Sequence, residues 1–431
     1  MSSERVVGPG AAAPPRRRGP LVGLLAGHIV SLTGNMLTLI ALPLYVLAET
    51  GSPAATGITG AVATVPVVLG GVFGGVIVDR VGYRRASVLA DVVSCVTIAA
   101  VPLIDVSLDL PFWGLLTLVF VSGLLDTPGQ TARRALLPEA AVAAGVPVER
   151  TVGLMEATER GARLIGAPVA GLLVATIGAL PVLAVDAATF AVSAVIVLAL
   201  VPARLQPPAE HPTEQPTGGY WRDFAAGIRF LLREPLLRAI VALVLVTNFF
   251  DATKGSVLLP VVAERELGGA TAFGLLVGVM GGGALIGSLA FGAVGHRLPR
   301  RGTLVTGFFV AGGPPFFALA AGLSLPVTAA VFAVAGLAAG CLNPLMGAVE
   351  LERVPPGMRA RVFGVVQAGC WSAIPLGALG AGFAAGRFGT TATLVTVGAA
   401  YLAVSLIPLL GGPWRAMSGR PGKREPVTAE A

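Results

Sequence analysis

Four charged residues fall close together in a strongly apolar stretch, GLMEATERGARLIGAPVAG at residues 153–171. Glu156, Glu159, Arg160 and Arg163 lie at i, i+3, i+4 and i+7, so on a helix they form one stripe. Each Glu precedes an Arg by four residues, the favourable order for a helical ion pair. We therefore expect Glu156 to pair with Arg160 and Glu159 with Arg163. The stripe should face a cavity or a neighbouring helix, because charged side chains inside membrane helices avoid lipid.

A second ionisable pair lies in TNFFDATKGS, where Asp251 and Lys254 are three residues apart and Asn248 lies one turn earlier. Ionisable residues within apolar segments are candidates for function because a membrane penalises them. These residues are candidates for lining a cavity or carrying protons. The alternative for Asp251 and Lys254 is an ion pair that only stabilises the fold.

The first apolar segment carries a polar stripe of its own in SLTGNMLTL, formed by Ser31, Asn35 and Thr38. Asn35 lies at a depth similar to that of Asn248 in the seventh segment. Because each segment would begin one half of the chain, Asn35 and Asn248 occupy corresponding positions, and Asn35 and Thr38 are further candidates for lining a cavity.

Other kinds of site are not indicated. The three cysteines, Cys95, Cys341 and Cys370, lie in apolar segments without the paired spacing of a disulfide framework or a zinc site. The histidines are far apart, and no Gly-Lys-Ser/Thr loop is present to hold phosphate. We expect no metal, no cofactor and no enzymatic activity, which leaves downhill movement or coupling to an ion gradient as the source of energy.

The composition is that of an integral membrane protein. Of 431 residues, 55% are hydrophobic and 12% charged, with a mean hydropathy of +0.82, whereas soluble domains carry about 25% charged residues. Breaks at charged and Pro/Gly-rich positions predict an all-α fold of twelve transmembrane helices. These helices are expected near residues 21–48, 54–78, 87–105, 112–130, 152–178, 181–201, 237–262, 271–294, 302–323, 327–349, 362–386 and 391–412.

The basic residues predict the topology. With the N-terminus placed in the cytoplasm, Arg265 and Arg387 fall on the outer side, and Arg160, Arg163 and Lys254 fall within spans. The remaining cations lie on the cytoplasmic side, as the positive-inside rule requires. This pattern predicts an even number of spans in the plasma or inner membrane, with both termini cytoplasmic. The net charge of +7 thus reflects topology, and we expect no nucleic-acid partner.

The longest polar interruption, residues 202–236, separates six predicted helices from six. Its first part, PARLQPPAEHPTEQPTGG, is typical of a flexible linker. Its second part places Trp221, Phe224, Leu231 and Leu232 near one face of an interfacial helix. The predicted organisation is a cytoplasmic tail over 1–19, a bundle over 20–201, the linker over 202–236, a second bundle over 237–412 and a tail over 413–431.

A motif repeats between the halves. GVIVDRVGYRR begins at Gly75 and GAVGHRLPRR at Gly292, and each closes the second helix of its half. Two pseudo-symmetric six-helix bundles are therefore predicted. Gly75 permits close helix approach, and Gly82 permits a tight turn. Asp79 can pair with arginines or cap a helix. The first copy consists of Gly75, Asp79, Arg80, Gly82, Arg84 and Arg85.

With this motif and twelve spans, the chain resembles the major facilitator superfamily over about residues 20–412. Further stretches resemble its drug:proton antiporter branch, which includes macrolide-efflux-type proteins and siderophore exporters. These stretches are ALPLYVLAETGS at 41–52, ARRALLPE at 132–139, LLREPLLRA at 231–239 and RVPPGMRARVFGVVQA at 353–368. The resemblance implies the major facilitator fold and alternating access between two bundles.

The resemblance also implies that the motif latches the cytoplasmic side, with Asp126 near the inner end of helix 4 as a partner for Arg84 or Arg85. The alternative is that these charges only set topology. Related antiporters often carry an arginine in the middle of helix 4, and the predicted helix, WGLLTLVFVSGLLDTPG, has none.

GAPVAG at 166–171 resembles a degraded form of the antiporter motif of helix 5. Gly166, Pro168 and Gly171 would allow a close and bendable crossing with the glycine-rich helix 8. The alternative is simple close packing.

The resemblance implies proton-coupled export of hydrophobic or amphipathic small molecules. Alternatives are a dedicated exporter of a secondary metabolite or siderophore and, from another class, a membrane sensor or scaffold that does not transport. The expected partners are the lipid bilayer, a small-molecule substrate and protons, and we expect the chain to function as a monomer.

Overall fold

The structure is a computed structural model and describes residues 17–205, 220–355 and 358–417. Within these ranges, the side chains at 71–77, 79–80, 149, 220–221, 223–224 and 360 are outside the description. The regular structure of the described ranges is entirely helical. Twelve of these helices are long and apolar enough to cross a membrane. The all-α arrangement of twelve spans predicted from the sequence is confirmed.

The first half contains six spans, and a shorter helix follows them. The spans are α1 (Gly19–Thr50), α2 (Pro53–Val81), α3 (Tyr83–Leu108), α4 (Phe112–Ala144), α5 (Val148–Ile177) and α6 (Ala179–Leu200), and the linker helix is α7 (Tyr220–Arg233).

The second half contains the other six spans. They are α8 (Pro235–Leu267), α9 (Ala270–Val294), α10 (Arg300–Ala320), α11 (Leu325–Arg353), α12 (Arg359–Trp371 and Ile374–Phe388) and α13 (Thr390–Ser405). Two stretches of α8, Lys254–Leu258 and Ala263–Leu267, are π-helical. Such π-helical turns are frequent at functional sites. Two short 3₁₀ turns, Ile407–Leu410 and Gly412–Met417, follow α13.

The fourth span is longer than the sequence predicts. The predicted helix ends at 130, whereas α4 continues to Ala144 through Pro128 and Pro138. Proline removes a helical hydrogen bond and favours a break, which explains the short prediction. The extension persists because its apolar face, including Leu136 and Ala140, is buried against α1, α5 and α6.

The linker helix α7 packs on protein. A Cβ on Gly227 would lie 2.8 Å from the carbonyl oxygen of Arg361 in α12. Leu231 is buried in a cluster with Val362 and Val366 of α12. Leu232 is exposed, and the side chains of Trp221 and Phe224 lie outside the described ones.

The two halves meet closely at one end of the molecule, which we call the far end. At the first crossing, between α2 and α12, a Cβ on Gly57 would lie 2.6 Å from the carbonyl oxygen of Ala378 and 2.9 Å from Gly382 Cα. At the second, between α5 and α9, a Cβ on Gly171 would overlap a backbone carbonyl and lie 3.0 Å from Gly274 Cα. Only glycine allows backbones to approach so closely.

An apolar plug reinforces the closure of the far end. Leu47 of α1, Val257 and Val261 of α8 and Ala381 of α12 form one buried cluster that joins the halves. Since α1 runs from the termini towards Thr50, Leu47 lies at the end opposite the chain termini. Access from this end is therefore blocked.

At the opposite end, which carries the described chain termini, no such close crossing of the two six-helix halves is found among the described glycines. A Cβ would meet open space at Gly153 and Gly161 of α5, at Gly347 of α11 and at Gly364 of α12. All four glycines lie in the part of their helix nearest this end. We call the space beside these four glycines the vestibule.

Candidate functional site

Four polar residues on one face of α1 each contact a carboxylate from a different helix of the first half. Their spacing of three, four and three residues keeps them on one face. We call these four residues the α1 stripe. The pairs are His28 with Glu159 of α5, Ser31 with Asp91 of α3, Asn35 with Asp126 of α4 and Thr38 with Asp186 of α6.

Asp91 is buried in an ion pair with Arg133 of α4, whose Nη2 binds its Oδ1. Both side chains are almost fully buried, with 2% and 3% exposed for Arg133 and Asp91. Arg133 Nε donates to Ser87 Oγ at 2.9 Å, and the Ser193 hydroxyl donates to Asp91 Oδ2 at 2.7 Å. A buried charge pair is tolerated when its remaining hydrogen-bonding positions are filled, and these hydroxyls fill most of them.

Two further carboxylates accept hydrogen bonds from neutral groups. Asp126 accepts from Asn35 Nδ2 at 3.5 Å and from Gln130 Nε2 at 2.9 Å. Asp186, fully buried, accepts from Thr38 Oγ1 and lies 3.2 Å from Thr189 Oγ1. Among the described side chains, neither carboxylate has a cation in ion-pair contact. Because desolvation penalises an ionised carboxylate without a cation, both are suited to binding and releasing a proton.

The buried charges of the first half were missed or misplaced by the sequence reasoning. Asp91 and Asp186 are absent from the sequence-based candidates, yet both are buried. The predicted helix 4 contains no arginine because it ends at 130, and the longer α4 of the structure adds the buried Arg133. One usable signal was present: the α1 stripe already includes His28 at the spacing that joins Ser31, Asn35 and Thr38.

The charged stripe of α5 does not pair with itself. Glu159 Oε1 contacts Arg134 Nη2 of α4 and lies 3.3 Å from His28 Nε2. No ion pair joins Glu156 to Arg160, or Glu159 to Arg163, in the part of the chain that the structure describes. The predicted pairing is wrong because α4 and α1 lie closer to the Glu159 carboxylate than its own helical neighbour. Glu156 and Arg163 are exposed, and Arg160 is half-buried.

The loop between α2 and α3 contains the repeated motif. Gly82 has a φ of +90°, and a Cβ there would meet open space, so the turn requires glycine for its backbone conformation. Arg84 Nη2 donates to the carbonyl oxygen of Leu198 at 2.8 Å, at the end of α6. Arg85 is exposed. The side chains of Asp79 and Arg80, and of Gly75 within 71–77, lie outside the described ones.

Asp126 is not a partner of this loop, and its predicted pairing with Arg84 or Arg85 is wrong. Since α4 continues to Ala144, Asp126 lies 18 residues from that end of the helix, about 27 Å at 1.5 Å per residue. It faces Asn35 of the α1 stripe instead.

Asp251 and Lys254 of α8 form an ion pair with 3.0 Å between Oδ1 and Nζ. The Tyr401 hydroxyl donates to the other carboxylate oxygen at 3.1 Å. Lys254 Nζ also lies 5.3 Å from the ring centroid of Phe316, a cation–π distance. Asn248 faces elsewhere and donates to the carbonyl oxygen of Cys370 at 2.8 Å, near the break in α12.

Lys254 is far more buried than Asp251. Side-chain exposure is 5% for Lys254 and 41% for Asp251. Asp251→Asn leaves a buried ammonium without a carboxylate, and removing one partner of a buried pair costs about 3–5 kcal/mol. Lys254→Met leaves a carboxylate that keeps Tyr401 and partial exposure, and should cost about 1–3 kcal/mol. Thermal unfolding of both variants in detergent should therefore rank Asp251→Asn as the less stable, and the reverse order would contradict the pair geometry.

The predicted close crossing of α5 is present. A Cβ on Gly278 of α9 would overlap the ring of Pro168, and one on Gly166 would lie 3.1 Å from the Met36 side chain of α1. Gly171 contacts α9 at the crossing of the far end. Gly166, Pro168 and Gly171 thus lie along the interface with α1 and α9, where a bend in α5 would change how the halves meet.

A metal centre is not assembled in the described ranges, where no three His, Cys, Asp or Glu side chains are grouped as ligands. The arrangement instead offers a series of proton-binding groups beside a vestibule. Such an arrangement is suited to moving a solute and protons between two sides of a membrane.

Sequence comparison relates this chain to known membrane transporters. The family model described as transmembrane secretion effector matches residues 12–413. The chain is 29% identical to "Multidrug efflux pump Tap" of Mycolicibacterium fortuitum, over 92% of this chain and 95% of the relative. It is 29% identical to the protein of the same name from Mycobacterium tuberculosis (strain ATCC 25618 / H37Rv), over 91% of this chain and 93% of the relative.

Solved structures show the same fold. The nucleoside transporter NupG superimposes with a TM-score of 0.74 over 92% of this chain and 98% of its own, at 12% sequence identity. At that identity the likeness concerns the fold alone, and it confirms the major facilitator arrangement implied by the sequence. The chain belongs to the transmembrane secretion effector family of the major facilitator superfamily, and it is a multi-pass membrane transporter rather than an enzyme.

Proposed function

We propose that this protein exports hydrophobic or amphipathic small molecules from the cytoplasm in exchange for protons. The observation that carries the substrate class is the likeness to proteins named multidrug efflux pumps over more than nine-tenths of both lengths. The observation that supports coupling is the set of buried carboxylates along α1. No cofactor enters this proposal, since the proton gradient supplies the energy.

The proposed location is the plasma or inner membrane, with both termini in the cytoplasm. The support is the concentration of Lys and Arg on the side of the termini. In that orientation the vestibule opens to the cytoplasm and the far end faces outward. A substrate can then enter from the cytoplasm or the inner leaflet while the plug around Leu47 blocks the exit.

The free energy released by one proton entering the cell per cycle is enough to drive export against a concentration gradient. A potential of 100 mV contributes about 2.3 kcal/mol per charge, and one pH unit contributes about 1.4 kcal/mol. Together these give about 3.7 kcal/mol, which sustains a concentration ratio of about 500 for a neutral substrate. Coupling requires that a carboxylate be protonated in one state and released in the other, and Asp126 and Asp186 have the neutral surroundings for this.

The direct test is ethidium accumulation in cells that express the protein, with and without a protonophore. We expect lower accumulation than in the empty-vector strain, and equal accumulation once the protonophore is added. In Asp186→Asn the side chain keeps the shape of the carboxylate but cannot ionise. We therefore expect the efflux rate to fall at least about tenfold. Glu156 is exposed, so Glu156→Gln should leave the efflux rate within about twofold of wild type.

Three outcomes would contradict the proposal or redirect it. No difference from empty vector across a panel of dyes and antibiotics would contradict multidrug export, and a response to one compound only would favour the dedicated exporter. Unchanged efflux in Asp186→Asn would remove Asp186 from coupling. Retained efflux in the double variant Asp251→Asn/Lys254→Met would show that the α8 pair only stabilises the fold.

A further inference from the structure

We propose that His28 relays protons between Glu159 at the vestibule and the buried carboxylates along α1. The inference deepens the proposed function, because it rests on proton coupling and names the inner end of the route. Of the other two histidines, His211 lies outside the described residues and His296 is exposed in the short turn that follows α9.

The surroundings of His28 make it a boundary between solvent and interior. The residue is fully buried, and its Nε2 lies 3.3 Å from Glu159 Oε1. The Glu159 side chain is 18% exposed and also contacts Arg134, which is 52% exposed. A proton in the vestibule therefore reaches the Glu159 carboxylate first, and His28 is the next titratable group behind it.

The other ring nitrogen points into the protein without a partner. His28 Nδ1 is buried and makes no hydrogen bond to any described group. An unsatisfied buried polar atom costs about 1–3 kcal/mol, so a group of no further use would tend to be replaced by an apolar one. An imidazole with one occupied and one free nitrogen is the form that can take up a proton at one side and release it at the other.

The next proton-binding group lies one turn further along the same helix face. Ser31 follows His28 by three residues, a rise of about 4.5 Å, and its hydroxyl contacts Asp91 at 3.4 Å. Arg133 Nη1, beside Asp91, is also buried without a partner among the described groups. One orphaned nitrogen thus belongs to His28 of α1 and the other to the α4 arginine that pairs with Asp91, and an ordered water is the kind of group that fills such buried polar positions.

The charges around His28 come from three helices. Glu159 of α5 contacts the ring, Arg134 of α4 neutralises Glu159, and Asp91 of α3 reaches α1 through Ser31. The neighbouring contact from α6 is the neutral Ser193, whose hydroxyl lies 2.9 Å from the Gly27 carbonyl oxygen. His28 thus lies between one carboxylate at the vestibule and one in the core.

The relay step conserves charge on the ring. A proton leaving the interior bonds to Nδ1, while the proton on Nε2 passes to Glu159 Oε1 and from there to water in the vestibule. The imidazole ends as the other neutral tautomer and resets by rotation or by the reverse transfer. While Glu159 is protonated, its ion pair with Arg134 is broken, so that each transferred proton loosens the link between α4 and α5.

The test uses the purified full-length protein in liposomes with ethidium as the transported probe. Ethidium uptake driven by an acidic interior measures coupled exchange, and exchange of labelled ethidium without a gradient measures transport that needs no net proton movement. His28→Gln keeps an N–H that can donate to Glu159 but cannot relay. We expect gradient-driven uptake to fall at least about tenfold and exchange to stay within about twofold.

The matched control is His296→Gln, because His296 is exposed and contacts its neighbour Arg297. Both of its rates should match wild type. Gradient-driven uptake that survives in His28→Gln, or equal loss of both rates, would overturn the relay. Glu159→Gln removes the proton acceptor of the same step. It should also lower gradient-driven uptake while leaving exchange nearly unchanged, which keeps the proposal testable if His28→Gln does not fold. Wild-type ethidium uptake that is the same with and without the acidic interior would instead overturn the proposed coupling, and the relay with it.

Discussion

Replacing Arg133 with Met is expected to destabilise the protein by about 3–5 kcal/mol and to abolish transport. The substitution keeps an unbranched side chain of similar length and removes the guanidinium, so Asp91 is left as a carboxylate with 3% exposure and no cation. The hydroxyls of Ser31 and Ser193 remain, but neutral donors offset only part of the desolvation cost. The fraction of monodisperse protein that survives heating in detergent measures the effect.

A double-mutant cycle separates lost charge pairing from lost packing. Asp91→Asn/Arg133→Met removes both charges, and replacing a buried pair by neutral groups is often close to neutral for stability. We expect the double variant to recover most of the stability lost by Arg133→Met but none of its transport. A double variant as unstable as the single one would show that the guanidinium acts through packing alone.

The substitutions Gly171→Val and Gly382→Val are each expected to reduce the transport rate at least about tenfold, because they prevent closure of the far end. A Cβ at Gly171 would overlap a backbone carbonyl of α9, and one at Gly382 would lie 2.8 Å from the Pro53 carbonyl oxygen of α2. Overpacking costs about 1–3 kcal/mol. Because these contacts form only when the far end is closed, the cost falls on that state and shifts the equilibrium towards the other by about 5-fold to 150-fold.

The matched control lies one turn from Gly382 in the same helix. Gly386 is exposed, and a Cβ there meets open space, so Gly386→Val should leave transport within about twofold. Spin labels at positions 49 and 264, on exposed sites of α1 and α8 near the far end, should report longer distances in Gly171→Val and Gly382→Val only. An unchanged distance distribution would contradict the assignment of these glycines to closure.

The twelve spans could be predicted because each of them is encoded by local hydrophobic composition. A span needs only about 20 apolar residues in sequence, so its existence depends on local composition. The halves and the linker followed from one polar interruption and a repeated motif. The glycines of α5 were also predictable, because small residues in a span indicate a close crossing. The end of α4 was not, since Pro128 and Pro138 favour a break that burial of Leu136 overrides.

The sequence by itself located the charged residues of α5 and α8, but it predicted the right ion-pair partner only in α8. Asp251 and Lys254 were predictable as a pair because both lie on one helix and no other charge competes. Glu159 had an equally good partner in Arg163 by spacing, yet it binds Arg134 and His28. Ion pairs form with whichever cation the packing brings within about 4 Å, and that choice is made between helices.

Only the tertiary structure decided that α1 is the helix on which the carboxylates of the first half converge. Asp91, Asp126 and Asp186 lie 60, 91 and 148 residues from their partners in the α1 stripe. No local period encodes such separations, because the faces of α3, α4 and α6 are fixed by packing against the other helices. The physical reason is that the membrane requires charged side chains to be buried, whereas the packing of the helices determines which group each charged side chain contacts.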